Sequence, residues 1–223
     1  ALVAHMVRSP MGHADITELD VTEARRAPGV VDILTGAEVA GAGFGLMPCL
    51  GRVKNADGSD MHVPERPILA TQRVRFVGDP IAMIIAETAE AAQAAEDMIA
   101  LDFEPVPAVG QLSEAAEGPQ IWDACPGNLA FEWQAGDRDA VAAAFDTAHH
   151  VARVTVINNR VIPNSMETRG AVGRWDSDQG YVLDVGSQGV AGMRKILMGV
   201  MNLPKDQALR VRTPDVGGGF GMK

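Results

Sequence analysis

A run of glycines constrains this chain most: Gly217-Gly218-Gly219-Phe220-Gly221. Glycine has no Cβ, so such a run adopts backbone conformations that are closed to other residues, and its N–H groups can approach a ligand closely. The run follows an extended stretch at 208–213, which predicts a β-strand that ends in a ligand-facing turn. A flexible glycine-rich tail is the alternative, since such segments often serve as linkers. The Gly-Lys-Ser/Thr spacing of a phosphate-binding P-loop is absent.

Composition excludes several classes of protein. The 223 residues carry a formal net charge of −10, which disfavours DNA or RNA as a partner because nucleic-acid binding draws on clustered Lys and Arg. No apolar run approaches the roughly 18–20 residues that a membrane-spanning helix needs. Cys49 and Cys125 are the two cysteines, too few for a disulfide framework and not spaced as metal ligands. Hydrophobic residues make up 47%, so we expect a folded protein with a sizeable core.

The first half of the chain predicts mixed helix and strand. The apolar run at 81–86 is continuous, as in a strand that is buried on both faces. Residues 37–65 are rich in glycine and polar side chains and predict a long loop. Periodicity and turn residues predict further strands at 2–7, 14–20, 30–34, 67–69, 74–77 and 101–104, and helices at 22–27 and 89–100.

The second half predicts another mixed unit after a proline- and acid-rich crossing at 109–129. Helices are predicted at 137–150 and 191–201, and strands at 151–158, 170–176 and 181–185. The second of these helices carries a methionine-rich stripe, which is more typical of a packed core than of a cofactor site. Its members are Met193, Ile196, Leu197, Val200 and Met201.

Four stretches in order resemble one protein family. They are Ala27–Gly36, Val74–Ala82, the Pro-Asn-Ser-Met-Glu-Thr-Arg-Gly segment at 163–170, and the region from Ser187-Gln188-Gly189 to the glycine run and Lys223. Together they resemble the large subunit of the molybdenum hydroxylases, the family of xanthine dehydrogenase, aldehyde oxidase and aerobic carbon monoxide dehydrogenase. Thr168 stands where the family more usually has proline. Because family members continue for several hundred residues beyond this point, we expect this chain to be a front portion.

The resemblance implies an α+β fold of two domains. Residues 1–108 resemble the hammerhead-like leading domain, and residues 128–223 resemble the start of the molybdopterin-binding domain, with a linker at 109–127. A glycine turn followed by Met222 is closer to the carbon monoxide dehydrogenase branch than to the xanthine branch, but this one residue does not assign a substrate.

The resemblance also implies an activity. Large subunits of this family hold molybdopterin, in some members as the cytosine dinucleotide, and oxidise an aldehyde, an N-heterocycle or carbon monoxide with water as the oxygen source. Electrons pass to a 2Fe–2S small subunit and an FAD medium subunit, in a dimer of heterotrimers. We expect these partners, together with the rest of the large subunit, in the cytoplasm. These residues alone are not expected to be active.

Four residues are candidates for cofactor binding. The resemblance implies that the Gln188 amide donates a hydrogen bond to an oxo ligand of the metal, and that backbone N–H groups of Gly219, Phe220 and Gly221 contact the cofactor. The Phe220 side chain itself is expected in the core. No direct metal ligand and no catalytic residue are expected here, because the family's catalytic base lies beyond Lys223.

Other interpretations stay open at this point. We expect Glu167 and Arg169 to form a structural ion pair near the cofactor domain, although a catalytic carboxylate with an anion-binding arginine is the alternative. Taken without the resemblance, Gln188 is more typical of a helix cap or a solvated side chain. The whole chain is alternatively a non-catalytic scaffold that keeps the fold without the cofactor. Nucleotide binding by the glycine turn is a third interpretation, which the missing P-loop lysine disfavours.

Overall fold

The structure is a computed structural model that describes residues 1–158 and 161–223. Within them the strands are β1 Val3–Arg8, β2 Ala14–Asp20, β3 Val30–Thr35, β4 Arg73–Val74, β5 Pro80–Ala86, β6 Ala100–Pro105, β7 Ala171–Asp176, β8 Gly180–Val185 and β9 Leu209–Arg212. The α-helices are α1 Gly36–Gly41, α2 Ala89–Glu96, α3 Arg138–Thr147 and α4 Val190–Val200. Short 3₁₀ turns lie at Ala24–Arg26, Leu112–Glu114 and Pro126–Asn128. This mixture is the α+β content that the sequence predicts.

The apolar strand β5 is central to the first part of the chain. It pairs antiparallel with β1 on one side and β3 on the other. Ala82, Ile84 and Ala86 belong to one core cluster, which α2 helps to form, while Ile81 belongs to a second cluster with Ala14, Ala70 and Val74. Because successive side chains of a strand point to opposite faces, a continuous apolar run can serve two cores. The prediction of a strand buried on both faces is confirmed.

A second sheet has the strand order β4-β2-β6, with both pairings antiparallel. Arg73 on β4 lies opposite Asp15 on β2 in register, and its guanidinium donates to that carboxylate, with Nη2 at 2.9 Å from Oδ2. A third sheet has the order β7-β8-β9, in which β7 and β8 form a hairpin and β9 runs parallel to β8. Among the described residues no helix is both long enough and apolar enough to cross a bilayer.

The chain divides into two units, which interleave in sequence. One contains Ala1–Val53, Asp60–Phe131 and Met198–Leu203, and therefore the first two sheets. The other contains Lys54–Ser59, Glu132–Leu197 and Pro204–Lys223, and therefore the third sheet. The family-based boundaries at 108 and 128 remain a prediction.

Several local predictions were wrong. The predicted strand at 74–77 reaches only Val74, and the predicted helix at 22–27 is a single 3₁₀ turn. Residues 151–158 alternate as a strand would, yet they form none, and their side chains are exposed; an extended segment needs a neighbour for its backbone N–H and C=O groups, and no strand pairs with it in the described part of the chain. Residues 67–69 likewise form no strand. The predicted loop at 37–65 begins with α1, because Thr35 and Glu38 form a capping box that starts a short helix.

Candidate functional site

A strand–helix–strand unit organises the candidate site. Strand β8 leads through Gly186 and Ser187 into α4, and the chain returns along β9, parallel to β8. Such crossovers place the carboxyl ends of both parallel strands at one edge, where α/β proteins commonly bind ligands. Asp184 and Arg212, which are partners in the register, are joined by two hydrogen bonds of 2.6 and 2.7 Å. Gln188 and the glycine turn follow these two strands and therefore lie close together.

Gln188 occupies the step from strand to helix. The buried Ser187 hydroxyl accepts a hydrogen bond from the Gly189 N–H at 3.1 Å, which fixes this turn, and Met193 N–H donates to Gly189 O at 3.0 Å in the first turn of α4. The side chain of Gln188 is exposed and does not cap the helix. Its Oε1 instead accepts a hydrogen bond from the backbone N–H of Lys223 at 3.3 Å. The backbone N–H of Gln188 donates to the Lys223 carbonyl oxygen, also at 3.3 Å.

The glycine turn lies directly against the Gln188 side chain. A Cβ on Gly219 would be 2.4 Å from Gln188 Cδ, a distance that no residue other than glycine can accommodate without a shift. Gly218 and Gly221 have φ values of 95° and 80°, in the left-handed region that glycine favours. The structure thus brings together all four residues predicted to bind the cofactor.

Phe220 corrects one expectation. Its ring is 70% exposed rather than part of a core. With φ at 52°, Phe220 is one of three non-glycine residues of the described chain in the left-handed region. A Cβ on Gly218 would lie 2.8 Å from Phe220 Cε2, so the exposed ring packs over Gly218.

Some backbone N–H groups of the turn have acceptors within the protein and others do not. The N–H groups of Gly217, Gly218, Met222 and Lys223 donate to Glu167 Oε2, Val216 O, Gly219 O and Gln188 Oε1, respectively. Those of Gly219, Phe220 and Gly221 have no acceptor within the described residues, and neither does the Gln188 NH₂ group. These residues are half-buried or exposed, so their N–H groups face water and are available to a ligand acceptor that approaches the turn.

Glu167 contacts the same turn. Its Oε2 accepts from the Gly217 N–H at 2.8 Å and forms an ion pair with the ammonium of Lys223. The Lys223 hydrogen bond, followed by that of Gly217, holds the pKa of Glu167 below its usual range. The expected ion pair between Glu167 and Arg169 is therefore not formed within the described residues; Glu167 pairs with Lys223 instead. The sequence did not predict this role for Lys223; its position two residues after the glycine turn was the available signal.

The arrangement suits a ligand rich in hydrogen-bond acceptors. It offers the Gln188 carboxamide NH₂ and three backbone N–H groups, which donate without adding net charge. The missing Cβ of Gly219 makes room for the Gln188 side chain, so that both sets of donors lie close together. These features fit a molybdopterin cofactor, whose oxygen atoms accept hydrogen bonds.

Comparisons with known proteins cover nearly the whole chain. A family profile described as aldehyde oxidase and xanthine dehydrogenase, a/b hammerhead domain, matches residues 1–107. A second profile, described as molybdopterin cofactor-binding domain, matches residues 121–223.

Individual relatives agree with these profiles. The nicotine 6-hydroxylase large subunit of Paenarthrobacter nicotinovorans is 31% identical over 225 residues, covering 100% of this chain and 26% of that protein. The carbon monoxide dehydrogenase large chain of Afipia carboxidovorans is 28% identical, covering 100% and 28%. The crystal structure of quinoline 2-oxidoreductase from Pseudomonas putida 86 superposes with a TM-score of 0.81 at 30% identity, covering 98% and 27%. The chain spans about a quarter of the length of these relatives.

Proposed function

Because this chain belongs to the molybdenum hydroxylase family of xanthine dehydrogenase, aldehyde oxidase and carbon monoxide dehydrogenase large subunits, we propose that it contributes to an enzyme that oxidises an N-heterocycle, an aldehyde or carbon monoxide with water as the oxygen source. Members of this family bind molybdopterin. In the proposed enzyme, the residues after β8 and β9 hold that cofactor and orient it.

The set of unused donors carries this proposal. Gln188 donates through its NH₂ group to one acceptor of the cofactor, and the N–H groups of Gly219, Phe220 and Gly221 donate to others. When bound, the cofactor supplies the two-electron oxidation of the substrate. The protein contributes fixed dipoles, which need no reorganisation as charge develops during the reaction. None of these four groups titrates near neutral pH, so the catalytic base is expected elsewhere in the large subunit.

The remaining parts of the proposed enzyme follow from the family. We expect molybdopterin, either as its cytosine dinucleotide or without the added nucleotide. We also expect electron transfer to 2Fe–2S and FAD centres on partner subunits. The proposed assembly is a cytoplasmic dimer of heterotrimers. N-heterocycles are the first substrates to test, since nicotine and quinoline, named in two of the similar proteins, both contain nitrogen heterocycles.

Metal analysis of the full-length protein, purified with its co-purifying subunits, tests the proposal. We expect close to one molybdenum per large subunit, together with flavin and iron–sulfur bands in the visible spectrum. Molybdenum far below one equivalent in an intact, active complex would refute the assignment. A colourless protein without molybdenum would favour the scaffold interpretation. Substrate-dependent bleaching of the visible bands, compared among a nitrogen heterocycle, an aldehyde and carbon monoxide, would then assign the substrate class.

A further inference from the structure

Glu167 contacts the glycine turn at two points. Its Oε2 accepts from the Gly217 N–H, before the three free donors, and pairs with the Lys223 ammonium, after them. We propose that Glu167 is a positioning residue. It fixes both ends of the glycine turn and, through Lys223, holds the Gln188 carboxamide with its NH₂ group toward the cofactor. This inference depends on the proposed function, because the orientation matters only if the site holds the cofactor.

Lys223 is suited to fix the far end of the turn because its ammonium group is buried and pairs with Glu167. Its side chain is 2% exposed, whereas that of Glu167 is 44% exposed. A buried ammonium requires a nearby counter-charge, since desolvation without one is strongly unfavourable. Glu167 supplies that charge within the described residues. A Cβ built on Gly186 would lie 3.8 Å from Lys223 Nζ, so the lysine also passes close to the backbone between β8 and Gln188.

The backbone of Lys223 fixes the orientation of the Gln188 amide. The Lys223 N–H can only donate, so the group that faces it at 3.3 Å must be the amide oxygen and not the NH₂ group. The Lys223 carbonyl accepts from the Gln188 backbone N–H, also at 3.3 Å. With both contacts made, the NH₂ group points away from Lys223 and is free to donate. Displacement of Lys223 would remove the constraint that distinguishes the two ends of the amide.

Glu167 is disfavoured as a proton acceptor. The oxygen that contacts the turn is already occupied by the Gly217 N–H and the Lys223 ammonium. Both interactions stabilise the carboxylate and hold its pKa below the usual range, which lowers its affinity for a proton. Its effect on the reaction therefore acts through the position of other groups.

The test uses the full-length protein with its co-purifying subunits, as wild type and as Glu167→Gln, Glu167→Asp and Glu167→Gln/Lys223→Met. Molybdenum content and the Mo(V) EPR spectrum are measured for each. Loss of a residue that orients metal-site ligands typically reduces metal affinity or activity by roughly 10- to 100-fold. We expect Glu167→Gln to lose most of its molybdenum and to give an altered EPR spectrum from the remainder. Glu167→Asp, which keeps the charge, restores both in part.

A matched control separates positioning from general destabilisation. Asp176→Asn removes an ion pair with Arg174 in the β7–β8 hairpin of the same unit, without contact to the glycine turn. We expect it to lower the melting temperature but to leave the molybdenum content and EPR spectrum unchanged. In molybdenum-free protein, the Glu167→Gln/Lys223→Met variant should melt above Glu167→Gln, because it no longer leaves a buried ammonium unpaired.

The outcomes distinguish this inference from the proposed function. Wild-type protein that carries molybdenum, with Glu167→Gln matching it in metal content and EPR spectrum, overturns the inference and leaves the proposed function intact. Equal losses in Glu167→Gln and Asp176→Asn also overturn it, since the effect would then be general. Wild-type protein without molybdenum overturns both. If the double variant melts no higher than Glu167→Gln, Glu167 does not compensate the buried charge of Lys223, and the inference is overturned.

Discussion

A methyl group at position 219 would lie 2.4 Å from Cδ of Gln188. Gly219→Ala must therefore displace either the turn or the carboxamide. Misplacement of a catalytic group by about 1 Å can cost on the order of 100-fold in rate, so we expect a loss of this order in substrate-dependent reduction of the complex. The matched control is Gly192→Ala in α4, where a Cβ meets nothing within 4 Å. Wild-type activity in Gly219→Ala would contradict the close packing of these two residues.

Replacement of Gln188 separates its two functions. Glu keeps the oxygen that accepts from Lys223 N–H but cannot donate from the other end of the side chain. Removal of one donor aimed at a site of developing charge typically lowers kcat by roughly 100- to 1,000-fold. We expect Gln188→Glu to show such a loss while the protein still melts close to the wild-type temperature. The measurement is single-turnover reduction by substrate at matched molybdenum content, and an unchanged rate would exclude a donor role for the amide.

At the scale of elements, the end of α4 shows how one residue stops a helix. Asn202 has φ of 51°, and the N–H groups of Asn202 and Leu203 donate to Gly199 O and Met198 O. This is the pattern of a Schellman motif with Asn at the left-handed position, followed here by Pro204. The structure thus explains why the Asn-Leu-Pro sequence ends the helix.

Asn202→Val should destabilise the protein, because a β-branched side chain is strained in the left-handed region by about 1–2 kcal/mol. Asn202→Gly is the matched control and should differ from wild type by a few tenths of a kcal/mol at most, since glycine adopts this conformation freely. Thermal or urea unfolding checks both variants. Equal stability of the two would indicate that position 202 does not hold this conformation in solution.

At the scale of the whole molecule, ion pairs of acidic side chains set the response to acid. Arg73, Arg212 and Lys223 lower the pKa values of Asp15, Asp184 and Glu167, respectively. A carboxylate with a lowered folded pKa contributes stability above its unfolded pKa, about 4. That contribution is lost as the pH falls through the folded pKa. The net charge of −10 at neutral pH means that carboxylates outnumber the basic groups that can pair with them.

We therefore expect the melting temperature to fall as the pH is lowered from about 5 to 3, with a slope that reports the paired carboxylates. Asp184→Asn should be less stable than wild type at pH 7 and should lose less stability over this range. The direction follows because the variant lacks one group that takes up a proton on unfolding. Parallel melting curves for the two proteins would contradict the role of the Asp184–Arg212 pair.

Much of the secondary structure, and the members of the candidate site, could be predicted from the sequence alone. The apolar run of β5, the period of α2 and α4, and the β7–β8 hairpin each follow from neighbouring residues, whose periodicity is local. The four residues with free donors were predicted by a different route, the resemblance of their motifs to those of a known family. The segment at 151–158 had the right alternation but no strand, because pairing is a property of a second segment and not of its own sequence.

Tertiary structure alone decided how these residues meet. The parallel register of β8 and β9 brings Gln188 to the glycine turn. The antiparallel pairing of β7 with β8 brings Glu167, which precedes β7, to the same edge and beside Lys223, 56 positions away in sequence. No local pattern encodes that ion pair, since Glu167 is nearer in sequence to Arg169. Nor does sequence indicate which N–H groups of the turn are used internally, because that depends on which acceptors the fold brings within hydrogen-bonding distance. The chemical identity of the donors is thus local, whereas their convergence is a consequence of strand pairing.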